Sequence, residues 1–292
     1  MRWEWFACWV AERIGFAVCI HALALDAFNG FVTTTLLNGL NTMKPYFEKN
    51  GIVLYHGECH EVLPTLAPKT FAALITDPPY CSGGATSSAK TADPAKKYCQ
   101  NGDPLGRPTF SGDAKDQRSF VAWCVFWLSM SRRLLIDGGY GLVFTDWRQL
   151  PSTTDAFQAA DFIWRGVMAW DKGLSSRSPH KGYARHQCEY LVWGTNGPCR
   201  NRTDAGPFPG CYHEPVLRRD KFHIVGKPTR LMQQLVQFCP AGERVLDSFA
   251  GSCTTLVACA ATGRQCVGIE REEANCEIGA RRIEAMLKTG AV

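Results

Sequence analysis

An acid, two prolines and a tyrosine follow directly after a short apolar run in the stretch LITDPPY. Pro78 and Pro79 fix their own φ angles and carry no N–H, so the carbonyls of Asp77 and Pro78 are held in place as hydrogen-bond acceptors. The Asp77 carboxylate is a further acceptor, and Tyr80 offers a flat ring for stacking. These groups suit a planar molecule with an exocyclic NH2. A plain proline turn after a strand is the alternative.

A second stretch, residues 244–270, also combines residue types that can do chemistry. A predicted strand ends in Asp247, a loop of small residues follows, and a second predicted strand ends in Glu270. Gly251 lets a ligand lie against backbone N–H groups at the start of the next helix. An acid at the end of the second strand can accept hydrogen bonds from ribose hydroxyls. The pattern indicates a nucleoside-cofactor loop, although ordinary α/β packing explains the loop alone equally well.

The elements that would position these residues alternate along the chain from residue 52 onward. Short β-branched or apolar runs and longer amphipathic runs predict an α/β fold, a mostly parallel twisted sheet flanked by helices. The predicted strands are 52–55, 71–76, 141–145, 163–170, 189–193, 244–247 and 266–269. The predicted helices are 117–136, one that begins at Pro228 and ends before Pro240, one that begins near Thr254, and 272–288.

Three regions fall outside this alternation. Residues 81–112 are rich in Gly, Ser and Pro, which predicts a lid, a binding loop or a disordered segment, and residues 194–227 read as a small irregular insert. Residues 1–42 are apolar but interrupted by charges, and their uncharged runs fall short of the ~20 residues that span a bilayer. We expect 1–42 to be an N-terminal extension without a part in the chemistry, with a cleaved signal as the alternative.

Cysteine usage bears on compartment and metal binding. The chain has 14 cysteines and no CxxC pair, which favours reduced thiols and a cytoplasmic protein. Cys199, Cys211, His213 and His223 match no paired-ligand spacing for zinc, so no metal site is expected.

Positive charge is concentrated in one part of the chain. Residues 171–230 hold eleven basic and five acidic side chains, a surplus of six, whereas the whole chain has a net charge of +5. If the protein binds a polyanion such as a nucleic acid, we therefore expect this segment to make the contact.

The two motifs, in this order and separated by a basic variable segment, resemble the amino-methyltransferases of DNA. These enzymes use S-adenosylmethionine to methylate adenine N6 or cytosine N4. The target-base loop precedes the cofactor loop, as in the permuted β group of that family. The resemblance covers most of the chain from about Met43, and further stretches that resemble the family are GECHEVLPTL, RLLIDGGYGLVFTDWRQ, RHQCEYLVWGTNG and GKPTRLMQQLV.

The resemblance implies a Rossmann-like methyltransferase domain over residues 43–292, in which 194–227 form a target-recognition insert. The implied catalytic residues, which hold the target amino group and stack the base, are Asp77, Pro78, Pro79 and Tyr80. The residues implied to bind S-adenosylmethionine are Glu58, Asp77, Lys227, Pro228, Thr229, Asp247, Phe249, Gly251 and Glu270. Within this set, Glu58 would lie near the adenine, Glu270 would bind the ribose, and residues 227–229 would flank the methionine end.

Two positions depart from the family pattern. Cys253 stands where the cofactor loop usually has a second glycine, so we expect it to crowd the cofactor or to need a φ below zero. Glu58 stands where the family commonly has Asp, and this change keeps a carboxylate as the hydrogen-bond acceptor.

Double-stranded DNA is the expected partner, and the target base would be flipped out of the duplex and stacked on Tyr80. A homodimer is one option for the assembly, and no membrane partner is expected. The candidate phosphate contacts are Arg177, Lys181, Arg185, Arg200, Arg202, Arg218 and Arg219.

Adenine N6 is the predicted target, because the family resemblance associates Asp before Pro-Pro-Tyr with adenine. Cytosine N4 remains an alternative, since either base presents an amino group. A DNA-binding protein that has lost cofactor affinity through Cys253 is another. A nicotinamide oxidoreductase is disfavoured because the loop lacks GxGxxG.

Overall fold

The structure is a computed structural model that describes residues 43–82, 112–175, 180–216 and 226–289. Lys44–Val292 group into one compact unit. The predicted N-terminal extension, most of the 81–112 loop, and Arg177, Arg218 and Arg219 lie outside the described residues.

The described strands form one sheet in the order β1-β2-β9-β8-β3-β4-β6-β5-β7. Their bounds are Phe47–Lys49 (β1), Ile52–His56 (β2), Phe71–Thr76 (β3), Leu135–Thr145 (β4), Ile163–Asp171 (β5), Cys188–Thr195 (β6), Cys211–His213 (β7), Arg244–Asp247 (β8) and Gln265–Glu270 (β9). The central strands β2, β9, β8, β3 and β4 are parallel. Strand β6 runs antiparallel to both β4 and β5.

Helices flank this sheet. Their bounds are Cys59–Val62 (α1), Gln117–Leu134 (α2), Leu150–Ala159 (α3), Thr229–Leu235 (α4), Thr254–Ala261 (α5) and Glu273–Thr289 (α6). The Asp116 carboxylate caps α2 by accepting from the N–H groups of Arg118 and Ser119, both at 3.0 Å. Within the described ranges no helix is long and apolar enough to cross a membrane.

The fold class predicted from the sequence is confirmed, and strands β3 and β8 have the predicted bounds. Helix α2 ends at Leu134, two residues before the predicted end, and β4 begins at once. Gly138 and Gly139, which follow the predicted end of this helix, lie inside β4. Gly138 has a φ of +71°, and an added Cβ would collide with the Pro198 carbonyl oxygen and the Arg200 side chain.

Four short elements were not predicted: β1, β7, α1 and α3. Pro228 caps α4 with φ −60° and ψ 135°, one residue before the helix begins. Since β2, β9, β8, β3 and β4 are parallel, their carboxyl ends meet at one edge of the sheet. Strand β6 runs the other way, so its first residues reach that same edge.

Candidate active site

A cavity of about 720 Å³ opens at the carboxyl edge of the parallel strands. Asp77 enters it from the end of β3, Asp247 from the end of β8 and Glu270 from the end of β9. Strands β3 and β8 are neighbours, and the Thr76 hydroxyl donates to Asp247 Oδ1 at 2.7 Å. The two stretches singled out in the sequence therefore share one site.

Both oxygens of the Asp77 carboxylate accept hydrogen bonds from within the protein. The Tyr80 hydroxyl donates to Oδ1 at 2.7 Å, and Lys227 Nζ donates to Oδ2 at 2.5 Å. Burial raises the pKa of Asp77, although the Lys227 ammonium group opposes that shift. The Asp-Pro-Pro-Tyr turn is thus held as a unit by its own tyrosine and by a lysine 150 residues away.

Glu189, the second residue of β6, completes this cluster. Its Oε2 lies 3.2 Å from Lys227 Nζ and 3.1 Å from the Tyr80 hydroxyl, and its Oε1 accepts from Lys172 Nζ at 3.0 Å. Burial opposes ionisation of Glu189, but the two ammonium groups outweigh burial and lower its pKa to about 2. Two acids and two lysines make the cluster electrically neutral. Sequence reasoning missed Glu189 and Lys172.

Aromatic rings surround the cation at the centre of the cluster. Lys227 Nζ lies 5.0 Å from the ring centroid of Phe144, 5.4 Å from that of Tyr80 and 5.9 Å from that of Trp170. Burial would lower the pKa of Lys227, but Asp77 and Glu189 outweigh it and raise that pKa. Lys227 therefore stays charged although its side chain is almost fully buried.

The loop after β8 is fixed from three sides. The Phe249 N–H donates to Asp247 Oδ1 at 3.1 Å, and the Gly251 N–H donates to Glu270 Oε2 at 2.8 Å. From α6, Arg282 donates to the Ser252 carbonyl and, at 3.2 Å, to the Ser252 hydroxyl. The Phe249 ring packs against two tryptophans of α2, Trp123 and Trp127. The loop is preorganised for a ligand.

Cys253 does not line the described part of the cavity. The expectation of a φ below zero is wrong, because Cys253 has a φ of +64° and keeps the left-handed turn that a glycine would make. Its side chain is fully buried against α6, where Gly279 leaves room for the sulfur. The expected crowding of the cofactor is therefore not seen.

The acceptors around the loop fit the nucleoside part of S-adenosylmethionine. Asn275 lines the cavity, and its Oδ1 is buried with no hydrogen-bond partner. Its Nδ2 donates to Glu270 Oε1 at 3.3 Å, so the free acceptor lies next to a carboxylate. A buried acceptor without a donor is unfavourable, and a ribose hydroxyl would supply one. Asn275 was not predicted, because its only signal is its position in the first turns of α6.

Most of the predicted site residues line this cavity. These are Glu58, Asp77, Pro78, Pro79, Tyr80, Lys227, Asp247, Phe249, Gly251 and Glu270. Glu58 also pairs with Arg271 at 2.8 Å. Pro228 and Thr229 are buried at the start of α4 and are not among the lining residues, and Lys227 lies between two acids.

The predicted phosphate contacts fall at two places. Lys181 and Arg185 belong to the segment between His180 and His186, and both histidines line the cavity. Arg200 and Arg202 lie at the opposite edge of the sheet, beside the start of β8. Arg200 pairs there with Glu243 at 2.9 Å, and Arg202 pairs with Asp204 at 2.5 Å. The fold therefore separates residues that the sequence places in one basic segment.

Known proteins resemble this chain in sequence and in fold. Residues 192–281 match the family model described as DNA methylase, of the N6 and N4 type. YubD of Escherichia coli strain K12, described as a methylase, is 27% identical over 231 residues, which cover 79% of this chain and 89% of that protein.

Two solved structures share the fold. A protein of Thermus thermophilus in complex with S-adenosyl-L-methionine, described as a DNA modification methylase, superposes with a TM-score of 0.58 at 19% identity and covers 81% of this chain and 96% of its own. The cytosine-N4-specific PvuII DNA methyltransferase has a TM-score of 0.61 at 13% identity, and the match covers 85% of this chain and 95% of that one. These matches show that the chain is similar in sequence to DNA methylases and has the fold of these two DNA methyltransferases.

Proposed function

We propose that this chain transfers a methyl group from S-adenosylmethionine to N6 of adenine in double-stranded DNA. The observation that carries the proposal is the single cavity that holds both Asp77 and the loop of Asp247, Gly251 and Glu270. The adjacency of β3 and β8 brings the proposed amino-group acceptor and the proposed nucleoside-cofactor loop together. Such proximity is a large part of what a two-substrate enzyme supplies.

The chemistry assigned to the protein is the activation of a weak nucleophile. S-adenosylmethionine, when bound, supplies an electrophilic methyl group. The lone pair of an aromatic amino group is delocalised into its ring, and acceptors on its hydrogens localise that pair. The Asp77 carboxylate and the Pro78 carbonyl would accept those hydrogens, while the Tyr80 ring stacks on the base. A covalent intermediate on the enzyme is not needed.

An exposed aromatic surface at the mouth of the cavity supports a nucleic-acid substrate. The Trp147 side chain is 46% exposed and stacks on His186 with ring centroids 5.1 Å apart. The Arg148 guanidinium lies 4.9 Å from the Trp147 ring centroid. Aromatic faces beside cations are typical of sites that hold unpaired bases.

The choice between adenine and cytosine rests on one residue. Asp77 before Pro-Pro-Tyr favours adenine by family resemblance, whereas both bases offer an amino group to the same acceptors. The alternative of a DNA-binding protein without cofactor affinity loses its basis, because Cys253 points away from the cavity. Calorimetry with S-adenosylmethionine tests this directly, and an absence of binding heat would count against the enzyme.

The product identifies the reaction. The protein is incubated with unmethylated mixed-sequence DNA and S-adenosylmethionine, and the DNA is digested to nucleosides for mass analysis. We expect N6-methyladenine, and we expect Asp77→Ala to lower its yield by about 10²-fold or more, as for other preorganised groups at a reacting centre. The matched control is Asp137→Ala, because Asp137 is an exposed acid at the amino edge that pairs with Lys69. N4-methylcytosine as the product would overturn the base assignment, and equal activity of Asp77→Ala would overturn the site.

A further inference from the structure

Asp77 is occupied by internal donors at the position where the proposed mechanism needs an acceptor. Its Oδ1 accepts from Tyr80 and its Oδ2 from Lys227 at 2.5 Å. An incoming amino group must share or replace one of these donors. Lys227 makes the shorter of the two contacts and carries the charge, so its position decides whether Oδ2 is available.

Lys227 cannot give up its partner without compensation. The residue is only 7% exposed, and a buried ammonium group without an acceptor is strongly unfavourable. Its Nζ donates to Asp77 Oδ2 and to the Tyr80 hydroxyl 3.2 Å away, and it forms an ion pair with Glu189 Oε2 at 3.2 Å. Glu189 is therefore the one other carboxylate in the described site that contacts Lys227.

Glu189 is itself anchored for this role. Lys172 Nζ holds its Oε1 at 3.0 Å, which leaves Oε2 facing Lys227 and Tyr80. Lys172 follows β5 directly and Glu189 lies near the start of β6, so paired strands hold the two side chains in register. A shift of Lys227 by a fraction of an ångström toward Oε2 would exchange one ion pair for the other.

We propose that Glu189 is a positioning residue that takes over Lys227 from Asp77 when the target amino group arrives. Asp77 Oδ2 is then free to accept from the amino group, and Lys227 remains paired. No proton or covalent bond is transferred in this exchange. The proposal rests on the proposed function, and it explains why a second, partly buried acid and a second lysine lie behind the Asp-Pro-Pro-Tyr turn.

The charges around Asp77 give the exchange a measurable signature. Asp77 faces Lys227, Tyr80 and Glu189, with Asp247 as a further acid. Glu189 faces Lys172, Lys227 and Tyr80. The negative charge of Glu189 contributes to raising the pKa of Asp77. The Glu189→Gln substitution removes this charge and should lower the pKa of Asp77. The acid limb of the plot of kcat against pH should therefore move to lower pH, even though kcat itself falls.

The experiment compares Glu189→Gln with wild type and with Glu243→Gln. Glu243 is a matched control, because it is also a glutamate in an ion pair, with Arg200, but at the opposite edge of the sheet. We expect Glu189→Gln to lower kcat about ten- to hundredfold, the scale of a misplaced reacting group. KM for DNA and the calorimetric Kd for S-adenosylmethionine should stay within about twofold, since the loss concerns the transition state. Glu243→Gln should match wild type in all of these.

Several outcomes would contradict the proposal. A kcat of Glu189→Gln within about twofold of wild type would overturn it. A lower kcat together with an unshifted acid limb and weaker cofactor binding would also overturn it, because that combination indicates a general loss of structure. If Glu189→Gln does not fold, Lys172→Met tests the proposal instead, because it removes the lysine that holds Glu189 in place. An unchanged kcat in Lys172→Met would then overturn the proposal. A wild-type protein that binds the cofactor but methylates no nucleoside would instead overturn the proposed function.

Discussion

At the scale of the single residue, Asp247 shows that a site residue is held at a cost in stability. Its carboxylate is 2% exposed, and burial raises its pKa to about 6 although the hydroxyls of Thr255 and Thr76 oppose the shift. The folded protein therefore holds this proton more tightly than the unfolded chain, whose value is near 3.8. The stability that goes with the protonated form is fully present below about pH 4 and is lost as the pH rises through 6.

Asp247→Asn should consequently stabilise the protein at neutral pH. The amide keeps an acceptor for the Thr76 hydroxyl and the Phe249 N–H but carries no charge, so the gain at about pH 7.5 should reach up to about 3 kcal/mol, two pKa units. Thermal unfolding between about pH 4 and 8 measures it, and the two proteins should converge at the acid end. Asp137→Asn, at an exposed acid, should change stability by less than about 1 kcal/mol throughout. A variant less stable than wild type at neutral pH would contradict this account.

At the scale of the element, the contact between the cofactor loop and α6 depends on two residues together. Cys253 caps α5 in a left-handed conformation, and Gly279 of α6 provides the space for its sulfur. A Cβ on Gly279 would collide with Cys253 Sγ. A glycine at 253 would accept the positive φ without strain and would remove the sulfur. The two substitutions should therefore be strongly coupled.

A double-mutant cycle tests this coupling. Gly279→Ala alone should lower the free energy of unfolding by about 1–3 kcal/mol through overpacking. In a Cys253→Gly background the same change should cost much less, because an alanine in a helix is otherwise favourable. Denaturant unfolding of the four proteins gives the interaction term, which should exceed about 1 kcal/mol. Additive effects would show that the two side chains do not meet.

The direction of strands explains what the sequence could and could not predict. The motif residues Asp77, Gly251 and Glu270 were found because strand, turn and helix patterns are local. The strand at 189–193 was also predicted, but its direction was not. If β6 ran parallel to β4, Glu189 would lie at the far edge; since it is antiparallel, Glu189 reaches Lys227. Pairings between distant segments leave no local pattern, so the whole Glu189–Lys172 pair escaped prediction.

At the scale of the whole molecule, the sheet divides the basic segment between its two edges. Composition alone places six surplus positive charges in residues 171–230. In the folded chain, Lys181 and Arg185 lie in the segment between His180 and His186, two residues that line the cavity, whereas Arg200 pairs with Glu243 and Arg202 with Asp204 at the amino edge. Charge that is already paired far from the site contributes little to the attraction of a polyanion. Of the four candidate phosphate contacts in the described residues, Lys181 and Arg185 are therefore the two that we expect to meet DNA.

The salt dependence of DNA binding separates the two edges. Lys181→Ala combined with Arg185→Ala should weaken binding to a mixed-sequence duplex and reduce the slope of log K against log salt by up to about 1.8, since each lost phosphate contact removes about 0.9. Arg200→Ala should leave affinity and slope unchanged and cost at most about 1 kcal/mol of stability, the scale of a surface ion pair. Fluorescence anisotropy over a range of salt concentrations measures both. An equal loss of slope in Arg200→Ala would mean that DNA also contacts the amino edge, because a purely structural change at Glu243 would not alter the number of counterions released.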